Sequence, residues 1–396
     1  MSDEERIVHL EPKRPLGEWN AGQDTGPIPP RQWILGNTFA RGYLSSLQGS
    51  GGTGKSALRC VQALSVATGR SLVGEHVFER TRVLLVSFED DRDEARRRVR
   101  AALVHHGVSF ADVDGWLFPA TPGMAAGKIA EVTDTGALKI GTLVGFLRET
   151  IGRLDVGLAI LDPLVKTHAV NENSNQQIDT VASALAQIAA DLNVAIDLPH
   201  HVAKGAPDPG NSDRGRGASA FRDAARIVHT LTAMSPEEAA TFNLGETERR
   251  ALVRLDSGKV NIAPPAAAVR WFKLVGVDLG NTTETYPNGD NVQTVETWTP
   301  PDVFLGTDSL TLNKILTTIA AGLPNGQRYS DASAAGNRAA WKVIQESYAD
   351  KSVAQCREMV RCWLRTGLLF REQYDDPVER KKRSGLRVNA AKRPTP

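Results

Sequence analysis

The sequence predicts an α/β fold in which a mostly parallel sheet surrounds a phosphate-binding loop, followed by a small helical module. Residues 49–56 read GSGGTGKS, which fits the G-x-x-x-x-G-K-[ST] pattern without exception. Around this motif, apolar runs of strand length alternate with amphipathic segments of helix length, as in doubly wound sheets. After residue 303, three helical patterns precede one strand-like run. This order predicts a winged-helix-like module.

The elements of the core follow from hydrophobic patterning. Mainly apolar runs suited to buried parallel strands lie at 42–47, 83–88, 156–161 and 194–198. Segments with helical spacing or a helix-like charge pattern lie at 56–68, 91–105 and 178–192. The first strand, the loop and the first helix are in the order that the phosphate-binding motif requires.

Strand signals dominate after residue 225. We expect strands at 251–255 and 269–275, joined by a turn at 256–258, as an extension of the same sheet. Residues 276–302 contain Gly-Asn and Asn-Gly turn signals and are predicted as a loop.

The chain is predicted to have four parts. In the C-terminal module, helices are expected at 310–321, 334–347 and 353–366, with a strand at 368–374. The predicted parts are a flexible proline-rich arm (1–30), a core (31–300), a winged-helix-like module (301–375) and a basic tail (376–396).

Composition excludes several classes of protein. Hydrophobic residues make up 41% and charged residues 23% of the chain, and no stretch approaches the roughly 18 consecutive apolar residues of a membrane span. The polar, proline-rich start is unlike a secretory signal. Three cysteines without CxxC spacing predict reduced structural thiols. We therefore expect a cytoplasmic protein without a membrane partner.

The loop at 49–56 is the strongest indication of chemistry. Its glycines let the backbone curl, so that N–H groups and the N-terminus of the next helix surround phosphates. Lys55 would add positive charge near the β and γ oxygens, and Ser56 would bind Mg²⁺. ATP with Mg²⁺ is the expected substrate. The predicted nucleotide-binding residues are Gly49, Ser50, Gly51, Gly52, Thr53, Gly54, Lys55 and Ser56.

Two acids end predicted strands near this loop. Asp162 follows an apolar run at the carboxyl edge of a parallel strand, where an acid can hold magnesium through water. Glu89 ends the run at 83–88, where a carboxylate can orient and deprotonate the attacking water. Asp91 and Asp93 are instead typical of a first helical turn.

The order of several segments resembles the RepA-type plasmid replicative helicases, within the DnaB-related, RecA-like hexameric ATPases of the AAA family. The segments, within about 35–275, read GSGGTGKS, LLVSFEDD, AILDPL, LPHHVAK, RGAS and GKVN. By this resemblance Glu89 is the catalytic carboxylate, Asp162 organises magnesium and His201 senses the γ-phosphate. Arg226 would be an arginine finger given to the neighbouring subunit.

The resemblance also implies partners. The glycine- and proline-rich loop at 204–216 would face the central channel of a ring, where charge and main-chain N–H groups can track a DNA backbone. We expect single-stranded DNA, copies of the same chain in a hexameric ring, and replication proteins as partners. Contacts with DNA or a neighbouring subunit are expected from Arg98, Lys204, Arg214, Arg216 and Lys259.

Two functions fit these features. The first is a ring-forming DNA translocase or helicase in plasmid or phage replication. The second is a regulatory DNA- or partner-binding ATPase, such as a loader or a recombination mediator. Lys259 is the alternative to Arg226 as the residue that reaches a neighbouring site. The alternative to a γ-phosphate sensor is that His201 only packs at the end of a strand. Pro163 and Asp197 depart from the family pattern.

Overall fold

The computed structural model separates a short N-terminal unit, 1–32, from a second unit, 33–396. Residues 17–32 are exposed and consist of turns and extended chain. Among the described residues, no helix combines the length and the apolar character that crossing a membrane requires. The structure describes residues 17–202, 208–212, 219–242, 244–263, 269–332 and 334–394, without the side chain of Met124.

Strands and helices alternate through the first half of the second unit. The described strands are β1 (Trp33–Leu35), β2 (Phe39–Ala40), β3 (Leu44–Gly49), β4 (Arg82–Ser87), β5 (Leu117–Ala120), β6 (Ala130–Val132), β7 (Leu138–Ile140), β8 (Val156–Asp162), β9 (Ala195–Asp197), β10 (His200–His201), β11 (Ile227–Ala233), β12 (Leu252–Val260), β13 (Arg270–Asp278), β14 (Asn291–Trp298), β15 (Leu369–Asp376) and β16 (Lys381–Val388). The described helices are α1 (Lys55–Thr68), α2 (Arg92–His105), α3 (Phe110–Val113), α4 (Leu143–Leu154), α5 (Asn175–Asp191), α6 (Ala220–Ala224), α7 (Pro236–Phe242), α8 (Glu246–Arg250), α9 (Ser309–Ala321), α10 (Ala340–Ser347) and α11 (Val353–Arg365).

One large sheet organises the core, in the order β14-β13-β12-β11-β3-β9-β8-β4-β5, with β10 also beside β3. The strands from β11 to β5 run parallel to their neighbours, whereas β12, β13 and β14 extend the sheet in antiparallel fashion. The predicted α/β fold with a mostly parallel sheet is therefore confirmed.

Strand β8 shows why a central strand can be apolar over almost its whole length. Leu158 and Ile160 pack into one apolar core with α1 and α2, whereas Ala159 and Leu161 pack into another with α4 and α5. Alternate side chains of a strand point to opposite faces, and helices cover both faces here. Because both faces of such a strand are buried, its sequence is mainly apolar and does not follow the apolar–polar alternation of a half-exposed strand.

Two predictions in the sheet extension are wrong. Residues 256–258 are not a turn but lie inside β12, where Asp256 pairs with Arg254 at 2.5 Å and Ser257 lies opposite His229. Residues 276–302 are not a loop throughout, because β13 continues to Asp278 and β14 spans Asn291–Trp298. The glycine and asparagine signals mark only the hairpin tip between these strands.

The C-terminal module contains the three helices α9, α10 and α11, followed by the β15–β16 hairpin. The helix predicted at 334–347 begins only at Ala340. The prediction of a basic tail is wrong for residues 381–388, because these residues form strand β16. Leu386 is buried in the core of the module, and Arg383 forms ion pairs with Asp376 and Glu379, so the basic run is held in a strand.

Asp197, which interrupts an apolar run in the sequence, is completely buried in β9. Arg59 of α1 donates two hydrogen bonds of 2.7 Å to its carboxylate, and the Ser45 hydroxyl of β3 donates a third at 2.7 Å. Both ion-paired side chains are fully buried. This pair fixes α1, and with it the end of the phosphate-binding loop, against two central strands.

We expect Asp197→Asn to lower the free energy of unfolding by about 3–5 kcal/mol, because the Arg59 guanidinium would keep its charge in the core without a counter-ion. Urea denaturation measures this loss. The control is Asp191→Asn, which breaks the partly exposed ion pair with Arg148 and should leave stability nearly unchanged. Equal effects of both substitutions would contradict a structural role for the buried pair.

Candidate nucleotide-binding site

The loop between β3 and α1 needs glycine at defined positions. Gly52 and Gly54 have φ angles of 76° and 83°, which only glycine adopts readily. A Cβ atom on Gly54 would also lie 2.6 Å from the side chain of Leu274 in β13, and one on Gly49 would lie 2.7 Å from the Leu231 carbonyl oxygen of β11. The loop is therefore shaped partly by strands far along the chain.

Lys55 begins α1 and points back into the loop. Its ammonium group donates hydrogen bonds of 2.8 Å to the carbonyl oxygens of Gly49 and Ser50, and lies 3.4 Å from Nδ1 of His201. Burial lowers the pKa of Lys55 to about 8, although the negative charges of Asp162 and Glu89 oppose this shift. The buried Lys55 ammonium group can exchange its bonds to the loop carbonyl oxygens for bonds to an anion that enters the cleft.

The lowered pKa of Lys55 predicts that ATP binding takes up a proton at alkaline pH. A bound phosphate favours the charged lysine and raises its pKa, so affinity should fall as pH rises above about 8. Calorimetry at pH 8.5 in buffers of different ionisation enthalpy measures the uptake. Lys128→Gln removes another lysine of lowered pKa and should leave the uptake unchanged. Binding without proton uptake would contradict the prediction.

Ser56 and Asp162 meet at the floor of the same cleft. The Ser56 hydroxyl donates a 2.5 Å hydrogen bond to the Asp162 carboxylate. Burial raises the pKa of Asp162, whereas this hydrogen bond and the charge of Lys55 act in the opposite direction. Hydroxyl and carboxylate oxygens are ligands that Mg²⁺ prefers, so Ser56 and Asp162 would be suited to hold a magnesium ion.

Glu89 and Asp90 differ in their surroundings, although both follow β4. Asp90 accepts a 3.0 Å hydrogen bond from the Ser87 hydroxyl and pairs with Arg98 at 3.0 Å. Glu89 is exposed and lines the cleft together with Lys55. Because a general base must reach the attacking water, the position of Glu89 suits this role better than that of Asp90.

The two histidines of β10 point to opposite sides, as neighbours on a strand must. His201 lies opposite Gly49 in the parallel pairing of β10 with β3, and its side chain lines the cleft. His200 is buried, with its ring centroid 6.4 Å from that of Phe221. Backbone pairing thus brings His201 directly beside the phosphate-binding loop.

Several residues that line the cleft are not predicted from the sequence to do so. The cleft, of about 540 Å³, is also lined by Arg97 and Arg98 of α2 and by residues 290–293 at the start of β14. Arg97 pairs with Asp290 at 3.0 Å, which joins these two walls. A signal existed, because 291–298 is rich in valine and threonine, as strands are. Arg98 lies beside the cleft of its own chain.

Arg226 lies at the end of the central strands that is opposite to the phosphate-binding loop. It precedes β11, its N–H group donates to the Leu44 carbonyl oxygen, and its side chain is exposed. Because Leu44 and Gly49 are at opposite ends of β3, roughly 17 Å of strand separates Arg226 from its own loop.

Lys259 donates 2.9 Å hydrogen bonds to the carbonyl oxygens of Arg222 and Asp223. Outside the described residues lie Lys204, Arg214 and Arg216.

Known proteins are similar to parts of this chain. A family model described as "AAA domain" matches residues 9–207, half of the chain, and includes the loop, Glu89, Asp162 and His201. A KaiC-like protein from the archaeon Pyrococcus horikoshii OT3 is 15% identical over 66% of this chain and 91% of its own, with a TM-score of 0.40. A RadB recombinase is 14% identical over 59% and 88%, with a TM-score of 0.39.

Proposed function

The chain belongs to the AAA domain family and is an ATPase, and we propose that it forms a ring that uses ATP hydrolysis to move along single-stranded DNA. The proposed activity is that of a RepA-type translocase or helicase in plasmid or phage replication. One observation carries the ATP-hydrolysing part of the proposal, whereas the ring and the DNA rest on the resemblance to the RepA-type helicases. Lys55, the Ser56–Asp162 pair, Glu89 and His201 come from four separate segments and line one cleft.

In this proposal each side chain has a separate task. The loop N–H groups and Lys55 hold the phosphates, with Lys55 exchanging its bonds to loop carbonyls for bonds to phosphate oxygens. Glu89 orients the attacking water and accepts its proton. When bound, Mg²⁺ neutralises phosphate charge. His201 lies within reach of Lys55 and would report the presence of the γ-phosphate to β10.

In this proposal Arg226 acts on the cleft of a second copy of the chain. Its exposed side chain is too far from its own loop to act there, so a role in hydrolysis requires a second subunit. A head-to-tail contact that joins the Arg226 edge of one copy to the cleft of the next closes into a ring when the rotation permits. Within such a ring, the loop at 204–216 is the proposed DNA contact.

Three measurements test the proposed function. Single-stranded DNA should stimulate ATP turnover, ATP with DNA should increase the particle mass to that of a ring, and a forked duplex should be unwound. Stimulation and assembly without unwinding would favour a regulatory ATPase, such as a loader or a recombination mediator. Turnover that does not respond to DNA would contradict both DNA-dependent functions.

A further inference from the structure

The C-terminal module contains a recess lined mainly by arginines. Arg357, Arg361 and Arg365 are four residues apart on α11 and therefore share one helix face. Arg371 of β15 and Trp341 of α10 also line the recess, which has a volume of about 580 Å³ and includes two aliphatic side chains. A concave site with cations, an aromatic ring and an apolar surface is suited to a flexible polyanion with flat apolar groups.

The charge of the recess is unbalanced. Four arginines face one acid, Asp331, among the described lining residues, and Asp331 pairs with Arg371 at 2.6 Å. Glu358 pairs with Arg361 and Arg365 at 3.0 and 2.9 Å, but it lines a different cleft. These partly exposed pairs can exchange for phosphate contacts at little cost, because such ion pairs contribute little to stability.

Two donors in the recess have no hydrogen-bond acceptor among the described residues. The guanidinium carbon of Arg357 lies 5.4 Å from the ring centroid of Trp341. Within the described part of the chain, the side-chain Nε of Arg357 and the indole Nε1 of Trp341 are buried without a hydrogen-bond acceptor. Buried donors are normally satisfied, so this pair indicates a place where a ligand could supply acceptor oxygens after a small side-chain movement.

The placement of α11 argues against insertion into duplex DNA. The hydroxyl of Ser352, which caps α11, donates a 3.2 Å hydrogen bond to the Ala240 carbonyl oxygen of α7. The start of α11 and α7 also line one cleft together. A helix that reads duplex DNA must project into a major groove about 12 Å wide. Here the arginine face lines a recess, and the helix start lies against the core.

We propose that this recess binds single-stranded DNA, with backbone phosphates on the arginines and a base stacked on Trp341. The inference rests on the proposed function, because it takes DNA as the partner. It adds a second DNA site, separate from the loop at 204–216 of the ring. Stacking on an aromatic side chain and contact with cations are the two interactions by which proteins bind single strands without reading sequence.

The first test measures binding of a fluorescein-labelled dT oligomer to the full chain by anisotropy at several salt concentrations. Arg361→Gln combined with Arg365→Gln removes two phosphate contacts, so the log–log salt slope should fall by about 1.4. The matched control, Arg153→Gln with Lys314→Gln, removes the same charge from exposed positions outside the recess. Its slope should remain that of the unchanged protein, and basal ATP turnover should be normal in both variants.

The second test changes the DNA instead of the protein. An abasic oligomer of equal length should bind less tightly than the dT oligomer, by about five- to 150-fold if one stacked base is lost. In Trp341→Leu this difference should shrink. Because the first comparison uses the unchanged protein, it remains informative even if the Trp341 variant is poorly folded.

Failure of this inference differs from failure of the proposed function. If the double arginine variant binds the dT oligomer with an unchanged slope while DNA still stimulates ATP turnover, the recess is not a DNA site. If the variant loses affinity for duplex more than for single strands, the single-strand assignment is wrong. If the unchanged protein neither binds DNA nor responds to it, the proposed function fails first.

Discussion

Glu89→Gln should bind ATP with nearly normal affinity and lose about two to four orders of magnitude in its rate of hydrolysis. Only the carboxylate can accept a proton from the attacking water, and positioned general bases contribute rate factors of this size. Lys55→Ala should weaken binding as well as turnover, because it removes the cation that meets the phosphates. Binding of a fluorescent ATP analogue and steady-state ATP turnover separate the two effects.

Asp90→Asn is the matched control for Glu89→Gln. Asp90 carries the same charge one residue later, but Ser87 and Arg98 hold it in place. Its loss should change the local structure of α2 more than the chemical step. If Glu89→Gln retains near-normal turnover and Asp90→Asn does not, the catalytic role belongs to Asp90.

Arg226→Ala should lower the rate of ATP turnover by roughly three to five orders of magnitude without abolishing ATP binding, if the residue acts as an arginine finger in a neighbouring site. A finger stabilises charge on the transferring phosphoryl group and is not needed to hold the nucleotide. Turnover and ATP binding are measured on the assembled particle, whose mass must match that of the unchanged protein.

Mixing two inactive variants tests whether Arg226 acts between subunits. Lys55→Ala has an intact finger and a broken site, whereas Arg226→Ala has an intact site and a broken finger. In a head-to-tail ring, random equal mixing should rebuild about a quarter of the interfaces with both groups intact. Activity should therefore return. If subunits exchange and the mixture stays inactive, Arg226 does not act in this way.

Lys259 is the next residue to test in that event. The structure gives it a local task, because its ammonium group donates to two carbonyl oxygens of α6. A finger role would require it to leave both. Lys259→Ala should therefore mainly disturb α6, and a loss of turnover rescued by mixing with Lys55→Ala would show the opposite.

Local patterns in the sequence are sufficient to predict the centre of the fold. The strand at 156–161 and the helix at 178–192 are recognisable because burial on two faces, or on one face, leaves a distinct apolar period. The glycines and Lys55 of the loop follow a fixed spacing. Asp162 follows from its position at a strand end. Each of these predictions needs only neighbouring residues.

Pairings between distant segments are not predictable in this way. Asp197 looks like an interruption of a strand because its partner, Arg59, lies on another element. The cleft wall at 290–293 belongs to an antiparallel extension whose turn signals resemble a loop. The separation of Arg226 from its own loop follows only from the register of β11 against β3. Such facts depend on topology and not on local composition.

Strand β3 leaves the ribosome long before the strands that pair with it. Its partners β9, β10 and β11 lie within residues 195–233, and the cleft wall at 290–293 is synthesised later still. At about 5–20 residues per second, roughly 10–50 s separate synthesis of the loop from completion of the cleft. The ATP site is therefore completed too late for ATP binding to guide the folding of the nascent chain, and the edges of β3 stay unpaired during this interval.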